Sequence, residues 1–314
     1  MAPRSPIGGR LSKSVPVPAL PSGLTADHVL VWGIRLLWAA LALLLGPAIG
    51  QALTDQSRAV QVTGTVGAWA AWFVALVALL LPNVVSLTIV RMIAPGSVLV
   101  ALAAGAAGAS PTAFVVGLAS SVVITLLVFS GEAGQRFVLG SAYVDEARFP
   151  LRPPGPLLLG PIPMLWLLTA IAVMAGPLLL AARAWLLGAA VTVLAAGLCF
   201  FAGTRLHRLA RRWLVLVPAG LVLHDEMVLV ETVMLPRRSI DQIVLAPADT
   251  EAADLTGNAL GRALEIRLTG ASTVVLAGSR SKPGGTALHV HSVLVSPTRP
   301  GQVIAEAARR RVAR

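Results

Sequence analysis

The stretch WLVLVPAGLVL, residues 213–223, runs for eleven residues without a charge, and its structure decides the class of the protein. As a helix it would measure about 16 Å, half the thickness of a bilayer core. Pro218, Ala219 and Gly220 interrupt it, and proline followed closely by glycine is typical of a turn. The stretch therefore predicts two short strands joined by a tight turn, rather than one more pass through a membrane.

The sequence after this hairpin predicts further strands and a final helix. Apolar stretches separated by polar loops indicate strands at 227–236, 239–247, 262–269, 272–277 and 288–296. Pro300 suits the first turn of a helix, and the residues after it form one apolar stripe, Val303, Ile304, Ala307 and Ala308. Residues 205–314 are thus expected to form an antiparallel β domain of seven strands, closed by a C-terminal helix.

The sequence before the hairpin indicates a helical membrane region over residues 27–204. Of all residues, 56% are hydrophobic and only 12% are charged, about half the share of an ordinary soluble domain. Six segments have the length and hydropathy of membrane spans: 29–50, 65–81, 96–109, 112–130, 157–182 and 184–203. The third is short. We interpret it as a span, with a re-entrant arm or a continuation of 84–93 past Pro95 as alternatives.

The charges predict which ends of these spans face the cytoplasm. The net charge is +11, and nearly all of the basic residues are arginines. With the N-terminus inside, the inner segments carry Arg4, Arg10, Lys13, Arg91, Arg136, Arg148, Arg152, Arg205, Arg208, Arg211 and Arg212. The outer connections carry only Arg58 and Arg183. This is the positive-inside pattern, and it predicts a multi-pass plasma-membrane protein with both termini in the cytoplasm. Residues 1–26 are expected to be a disordered cytoplasmic tail.

The predicted β domain resembles the pleckstrin-homology-like (PH-like) domains that follow membrane helices in bacteria. The resemblance lies in RRWLVLVPAGLVL, MLPRRSIDQIVL and LTGNALGRALEIRL, and it covers roughly 208–314. It implies a membrane α-helical bundle followed by an antiparallel β PH-like domain that interacts with lipid or protein. The whole chain also resembles multi-pass membrane proteins of actinobacteria, a comparison that implies no activity.

Two groups of basic residues are candidates for contact with lipid headgroups or a partner. The first group follows the sixth span and consists of Arg205, Arg208, Arg211 and Arg212. Juxtamembrane arginines bind anionic headgroups, and they also simply fix the orientation of a helix. The second group, Arg237 and Arg238, lies in a predicted turn. The resemblance implies a contact there, because loop arginines of classical PH domains bind phosphoinositides.

The inner loop at 131–156 is a candidate docking segment. Its charged residues are Glu132, Arg136, Asp145, Glu146, Arg148 and Arg152. The part RFPLRPP is expected to be extended, because a residue before proline avoids the helical region. The loop either docks against the cytoplasmic domain or lies as a solvated linker on the membrane surface.

The sequence offers no catalytic or cofactor motif. No nucleophile–base pair or glycine-rich phosphate loop is present. His289 and His291 share one strand face and lack an identified third ligand, so we expect no metal site and no cofactor. The basic excess flanks the spans without interleaved aromatic residues, so nucleic acid is not an expected partner.

The expected function is a non-enzymatic membrane protein whose PH-like domain binds membrane lipid, or a membrane or cytoplasmic protein, in envelope assembly. The alternative is a transporter or channel subunit that the PH-like domain regulates, although the predicted spans contain no Asp or Glu. A membrane-embedded lipid enzyme that uses the loop 131–156 ranks last.

Overall fold

A computed structural model describes residues 22–143, 145–278 and 285–312, with side chains from His28 onward. Within these residues the helices are α1 Ser22–Leu53, α2 Arg58–Leu80, α3 Val84–Ala106, α4 Pro111–Val128, α5 Gly131–Leu139, α6 Gly155–Leu158, α7 Pro161–Ala181, α8 Trp185–Ala210 and α9 Pro300–Arg309. Most of the tail expected at 1–26 lies outside the described residues, and α1 already begins at Ser22.

Six candidate membrane spans occur among the described residues, as the hydropathy predicts. They are His28–Leu53, Arg58–Leu80, Val84–Ala106, Pro111–Val128, Gly155–Ala181 and Trp185–Ala210, and each is long and apolar enough to cross a bilayer. The second begins at residue 58 instead of 65, and the sixth continues to residue 210 instead of 203. Hydropathy alone did not predict these additional helical turns, because they contain polar residues.

The short third segment, 96–109, is the second half of one longer helix. Helix α3 starts at Val84 and continues through Pro95, so the alternative of a continuation past this proline is correct. Small buried residues surround the proline: Ala94 is fully buried, and the Ser97 hydroxyl donates to the Ala94 carbonyl at 2.7 Å. Packing against neighbouring helices and such side-chain bonds allow proline inside a membrane helix.

Close contacts between small and aromatic residues hold the six helices together. The indoles of Trp38 and Trp72 each donate to the other's carbonyl at 2.9 Å, which joins α1 to α2. Helices α7 and α8 form a hairpin in which a Cβ on Gly176 would lie 2.6 Å from Oγ1 of Thr192. The Trp166 indole donates to the Met92 carbonyl at 2.9 Å and attaches this hairpin to α3.

The β domain contains two four-stranded sheets. Its strands are β1 Ala147–Pro150, β2 Trp213–Val217, β3 Gly220–His224, β4 Val233–Pro236, β5 Ile240–Leu245, β6 Ala253–Asp254, β7 Leu264–Leu276 and β8 Thr286–Val295. Their order is β1-β2-β3-β4 in one sheet and β5-β7-β8-β6 in the other. All pairs are antiparallel except β6 with β8.

The hairpin predicted at 213–223 is confirmed. Strands β2 and β3 pair antiparallel around Pro218 and Ala219, with Val217 opposite Gly220. A side chain on Gly220 would collide with the carbonyl of Leu235 on β4, which explains glycine at this position.

Three other strand predictions require correction. The strand expected at 227–236 is limited to β4, because residues 225–229 form a turn. In this turn the Met227 amide donates to the Asp225 carboxylate, and the Leu229 amide donates to the Asp225 main-chain carbonyl. The strands expected at 262–269 and 272–277 are one strand, β7, which pairs irregularly between Arg267 and Ser272. The polar loop after β5 contains the short strand β6.

The two sheets and α9 share one apolar core. Sheet residues such as Leu214, Leu221 and Ile266 are completely buried, and Val303 and Ala307 of α9 pack onto the same cluster. The layout is therefore the expected one: six long apolar helices, then an antiparallel β domain closed by a C-terminal helix.

Strand β1 does not belong to the predicted domain range 205–314. It lies in the loop 131–156, and its residue Phe149 is opposite Leu214 on β2. Phe149 and Leu151 are buried in the core of the β domain. Helices α7 and α8 are thus inserted between the first and second strands of one sheet.

Candidate functional site

The junction between the β domain and the α7–α8 hairpin is organised by one buried ion pair. Arg212, which follows α8, donates from Nε and Nη2 to the two carboxylate oxygens of Asp225 at 2.8 and 2.6 Å. Their side chains are only 1% and 0% exposed. Because the pair is bidentate and shielded from water, each charge depends on the other to remain buried.

Arg212 also holds the chain segment that leads into α7. We call residues 150–155 the strap. The Arg212 Nη1 donates to the carbonyl of Arg152 at 2.6 Å, and the Leu151 amide donates to the Arg212 carbonyl at 3.0 Å. The Arg152 amide donates to the carbonyl of Ser296 after β8. The strap therefore lies between the two sheets and binds both.

These bonds fix both ends of the α7–α8 hairpin to the same place. The chain leaves the β domain through the strap, passes through α7 and α8, and returns at Arg212, whose guanidinium contacts the strap. Consequently the β domain cannot swing about a single flexible linker. Its orientation relative to the helices is set by strand pairing and by a buried charge.

The rest of the loop 131–156 contacts α9 and the sheet. The side chain of Gln135 on α5 donates to the carbonyl of Arg148 at 2.5 Å. Arg310 at the end of α9 donates to the carbonyl of Asp145, and Glu132 lies 3.9 Å from Arg299.

The docking candidates other than Glu132 divide into three groups. Arg152 binds the β domain with its side chain, and the main chain of Asp145 contacts α9. Glu146 and Arg148 form an ion pair at 2.8 Å. Arg136 lies in the last turn of α5 and is partly buried.

An aromatic and charged cluster lies on the face of sheet β1-β2-β3-β4 opposite the core. Trp213 stacks on His224 with ring centroids 5.2 Å apart, and the guanidinium of Arg148 lies over the Trp213 ring. Trp213 also packs against the apolar core of the helices. Burial lowers the pKa of His224 below its usual value, although the carboxylates of Glu226 and Asp225 oppose this shift.

The structure separates the basic candidates for lipid or partner contact. Arg212 is buried in its ion pair, so the expectation that it contacts headgroups is wrong. Arg211 pairs with Glu226 at 3.0 Å. The remaining four are exposed: Arg205 and Arg208 on α8, and Arg237 and Arg238 on a short 3₁₀ turn after β4.

The described residues contain no group of three His, Cys, Asp or Glu side chains arranged to hold a metal ion. His289 and His291 are both exposed on β8. No protein-family model, curated protein or solved structure matches the chain.

Replacing Arg212 with Met should strongly destabilise the junction. The Asp225 carboxylate would remain buried without its partner, a loss of about 3–5 kcal/mol. Hydrogen exchange of the β2 and β3 amides in the full-length protein measures this loss. The neighbouring Arg211→Met variant is the matched control, because its exposed ion pair contributes at most about 1 kcal/mol. Equal protection in the two variants would contradict the assigned role of Arg212.

The β domain should lose stability as the pH falls below about 6.5, the usual pKa of histidine. Because the pKa of His224 is lowered in the folded domain, the unfolded chain takes up a proton at this histidine more readily, so acid favours unfolding. Melting temperatures of the full-length protein across this pH range measure the effect. The His224→Gln variant should show a flatter profile than His289→Gln, which changes an exposed histidine on β8. A His224→Gln profile as steep as that of the unsubstituted protein would refute the assignment.

Proposed function

We propose that the chain is an integral protein of the plasma membrane that presents a cytoplasmic interaction domain in a fixed orientation. The strap and β1 support this proposal. Both belong to the loop between the fourth and fifth candidate spans, and their contacts make this loop part of the β-domain fold. A partner bound to such a domain is held in a defined position relative to the helices. This property suits the assembly of an envelope complex.

The proposed orientation rests on the number of spans and on charge. If all six candidate spans cross the bilayer, the N-terminus and the β domain lie on the same side of the membrane. The arginines flanking the inner ends make that side the cytoplasm.

The β domain is proposed to be PH-like. Apart from the two-residue β6, the described strands number seven when β1 is included, and a C-terminal helix follows them. Seven strands and a final helix are also the number that the sequence resemblance implies, although that resemblance places all seven strands within 205–314. In this proposal the α7–α8 hairpin is an insertion between the first two strands of the domain.

Arg237 and Arg238 are the proposed contact with a protein partner. Both are exposed at the end of the β2–β3 hairpin, where the Arg237 amide binds the Ala219 carbonyl and fixes the turn. Two cations on a rigid turn suit an acidic partner surface, because preorganised charges improve the rate and specificity of association. We propose no reaction or cofactor for this surface.

A transporter or channel subunit is the second candidate. Arg35 and Arg91 lie within candidate spans, and ionised residues at such positions commonly belong to functional sites. Arg35 donates to the Leu79 carbonyl at 2.9 Å, and the Arg91 guanidinium lies over the Phe129 ring. These contacts also give both arginines a structural role, so the interaction function ranks first.

Cysteine labelling of intact cells tests the proposed orientation. Cys199 is replaced by Ala, and single cysteines are introduced at Gln56, Ala107 or Arg238. A membrane-impermeant maleimide should label positions 56 and 107 and should reach position 238 only after lysis. Labelling of position 238 in intact cells would overturn the cytoplasmic assignment.

Charge reversal at the turn tests the interaction function. The full-length Arg237→Glu, Arg238→Glu double variant should capture about tenfold less of its crosslinked protein partner, which corresponds to about 1.4 kcal/mol. The matched control is charge reversal of the exposed Glu251 by Lys, which should leave capture unchanged. Unchanged capture by the double variant, together with solute flux in proteoliposomes, would favour the transporter.

A further inference from the structure

The loop 257–262 of the β domain has a fixed and unusual shape. Three of its residues adopt left-handed backbone conformations: Gly257, Asn258 and Gly261, with φ of 65, 59 and 101°. The residue before it, Thr256, is buried, as is Leu255. The loop is therefore anchored in the domain core at its start, and its course is held by specific conformations that glycine and asparagine adopt readily.

Two residues of the strap, Arg152 and Gly155, hold this loop against the beginning of the fifth candidate span. Arg152 donates from Nη1 to the carbonyls of Leu260 and Arg262 at 3.4 and 2.9 Å, one on each side of Gly261. The amide of Gly155, the first residue of α6, donates to the Asn258 carbonyl at 3.1 Å. A Cβ on Gly155 would lie only 3.3 Å from Cγ of Leu260.

Leu260 is presented outward at this position. It is 59% exposed, although Arg152 holds the backbone on both sides of Gly261 in place. Two more leucines are exposed beyond Gly155: Leu158, the last residue of α6, at 39%, and Leu159, directly after it, at 80%. All three leucines lie at or next to the start of the candidate span Gly155–Ala181. Arg262, two residues from Leu260, is exposed as well.

We infer that the loop 257–262 is a membrane-surface anchor, in which Leu260 enters the boundary between lipid headgroups and acyl chains. This inference rests on the proposed function, because it requires that Gly155–Ala181 crosses the bilayer. The start of a span defines the depth of the interface, and Leu260 lies against the first residue of that span. Arg262 is then placed at the level of the lipid phosphates, where cations are favoured.

A lipid surface fits this site better than a protein partner. The Gly155–Asn258 hydrogen bond holds the exposed Leu260 beside the start of the candidate span, at the depth where lipid headgroups and acyl chains would meet. Apolar side chains next to arginine are typical of segments that lie in the interface with the apolar part buried about 5–10 Å.

Depth-dependent fluorescence quenching tests the anchor in the full-length protein. With Cys199 replaced by Ala, a single cysteine at Leu260, His289 or Leu168 is labelled with an environment-sensitive dye. The protein is reconstituted in vesicles of phosphatidylcholine and phosphatidylglycerol that carry a spin label on the headgroup or along the acyl chain. Leu168, exposed in the middle of α7, reports insertion of the span.

Position 289 is the matched control on the same domain. His289 is exposed on β8, six residues from Val295, the partner of Leu264. At about 3.3 Å per residue it is about 20 Å along the strand from the end of the sheet next to the loop. The shallow spin label should quench the dye at 260 at least about twofold more than the dye at 289. The Arg152→Ala substitution should reduce this difference, because it releases the loop.

The outcomes separate the anchor from the proposed function. Quenching at 168 by the deep label without quenching at 260 would overturn the anchor and leave membrane insertion intact. Absence of quenching at 168 would overturn the proposed membrane topology itself, and the anchor with it. Equal quenching at 260 and 289 would show that the whole domain lies on the surface, and the specific role of the loop would be rejected.

Discussion

The pairing of Arg212 with Asp225 is the contact on which the rest of the structure depends. A guanidinium and a carboxylate are taken out of water together, which is tolerable only when their geometry is good and additional hydrogen bonds are made. Asp225 also orders the turn after β3, and Arg212 also binds the strap and the carbonyl of Thr256. One ion pair therefore joins a hairpin, a strap and the beginning of the loop at 257–262. Loss of either charge would disturb all three.

This arrangement makes the β domain inseparable from the helices. A fragment that began after α8 would lack β1, and it would expose the edge of β2 where Phe149 and its neighbours pair. Unpaired strand edges promote aggregation. The same pairing gives the helices a fixed base, since the two ends of the α7–α8 hairpin meet at Arg212 and Arg152. The fold therefore positions the domain as part of the bundle, which is the property that the proposed function uses.

Sequence patterns predicted the helices and strands that depend on neighbouring residues alone. Hydropathy located the six candidate spans, and the Pro-Ala-Gly break located the β2–β3 hairpin. The pairing of β1 with β2 could not be predicted from such patterns. Two long helices separate these strands in the sequence, and the periodicity of apolar residues does not indicate which distant strands pair. The pairing of Asp225 with Arg212, in contrast, could have been predicted from the sequence. A two-residue turn at 218–219 places Trp213 opposite His224, so the preceding Arg212 and the following Asp225 must face each other.

The arginines that form the positive-inside pattern of the sequence have two different environments in the structure. Positive-inside counting treats them as equivalent, because it uses only their position relative to apolar segments. In the structure, Arg212 is buried, and Arg152 is bound to the loop 257–262, whereas Arg205 and Arg208 are exposed. Burial costs a charge its hydration, so a buried arginine requires a carboxylate or several carbonyl oxygens arranged around it. Arginines that have such partners hold the domain to the membrane helices, and only the exposed ones remain available for binding.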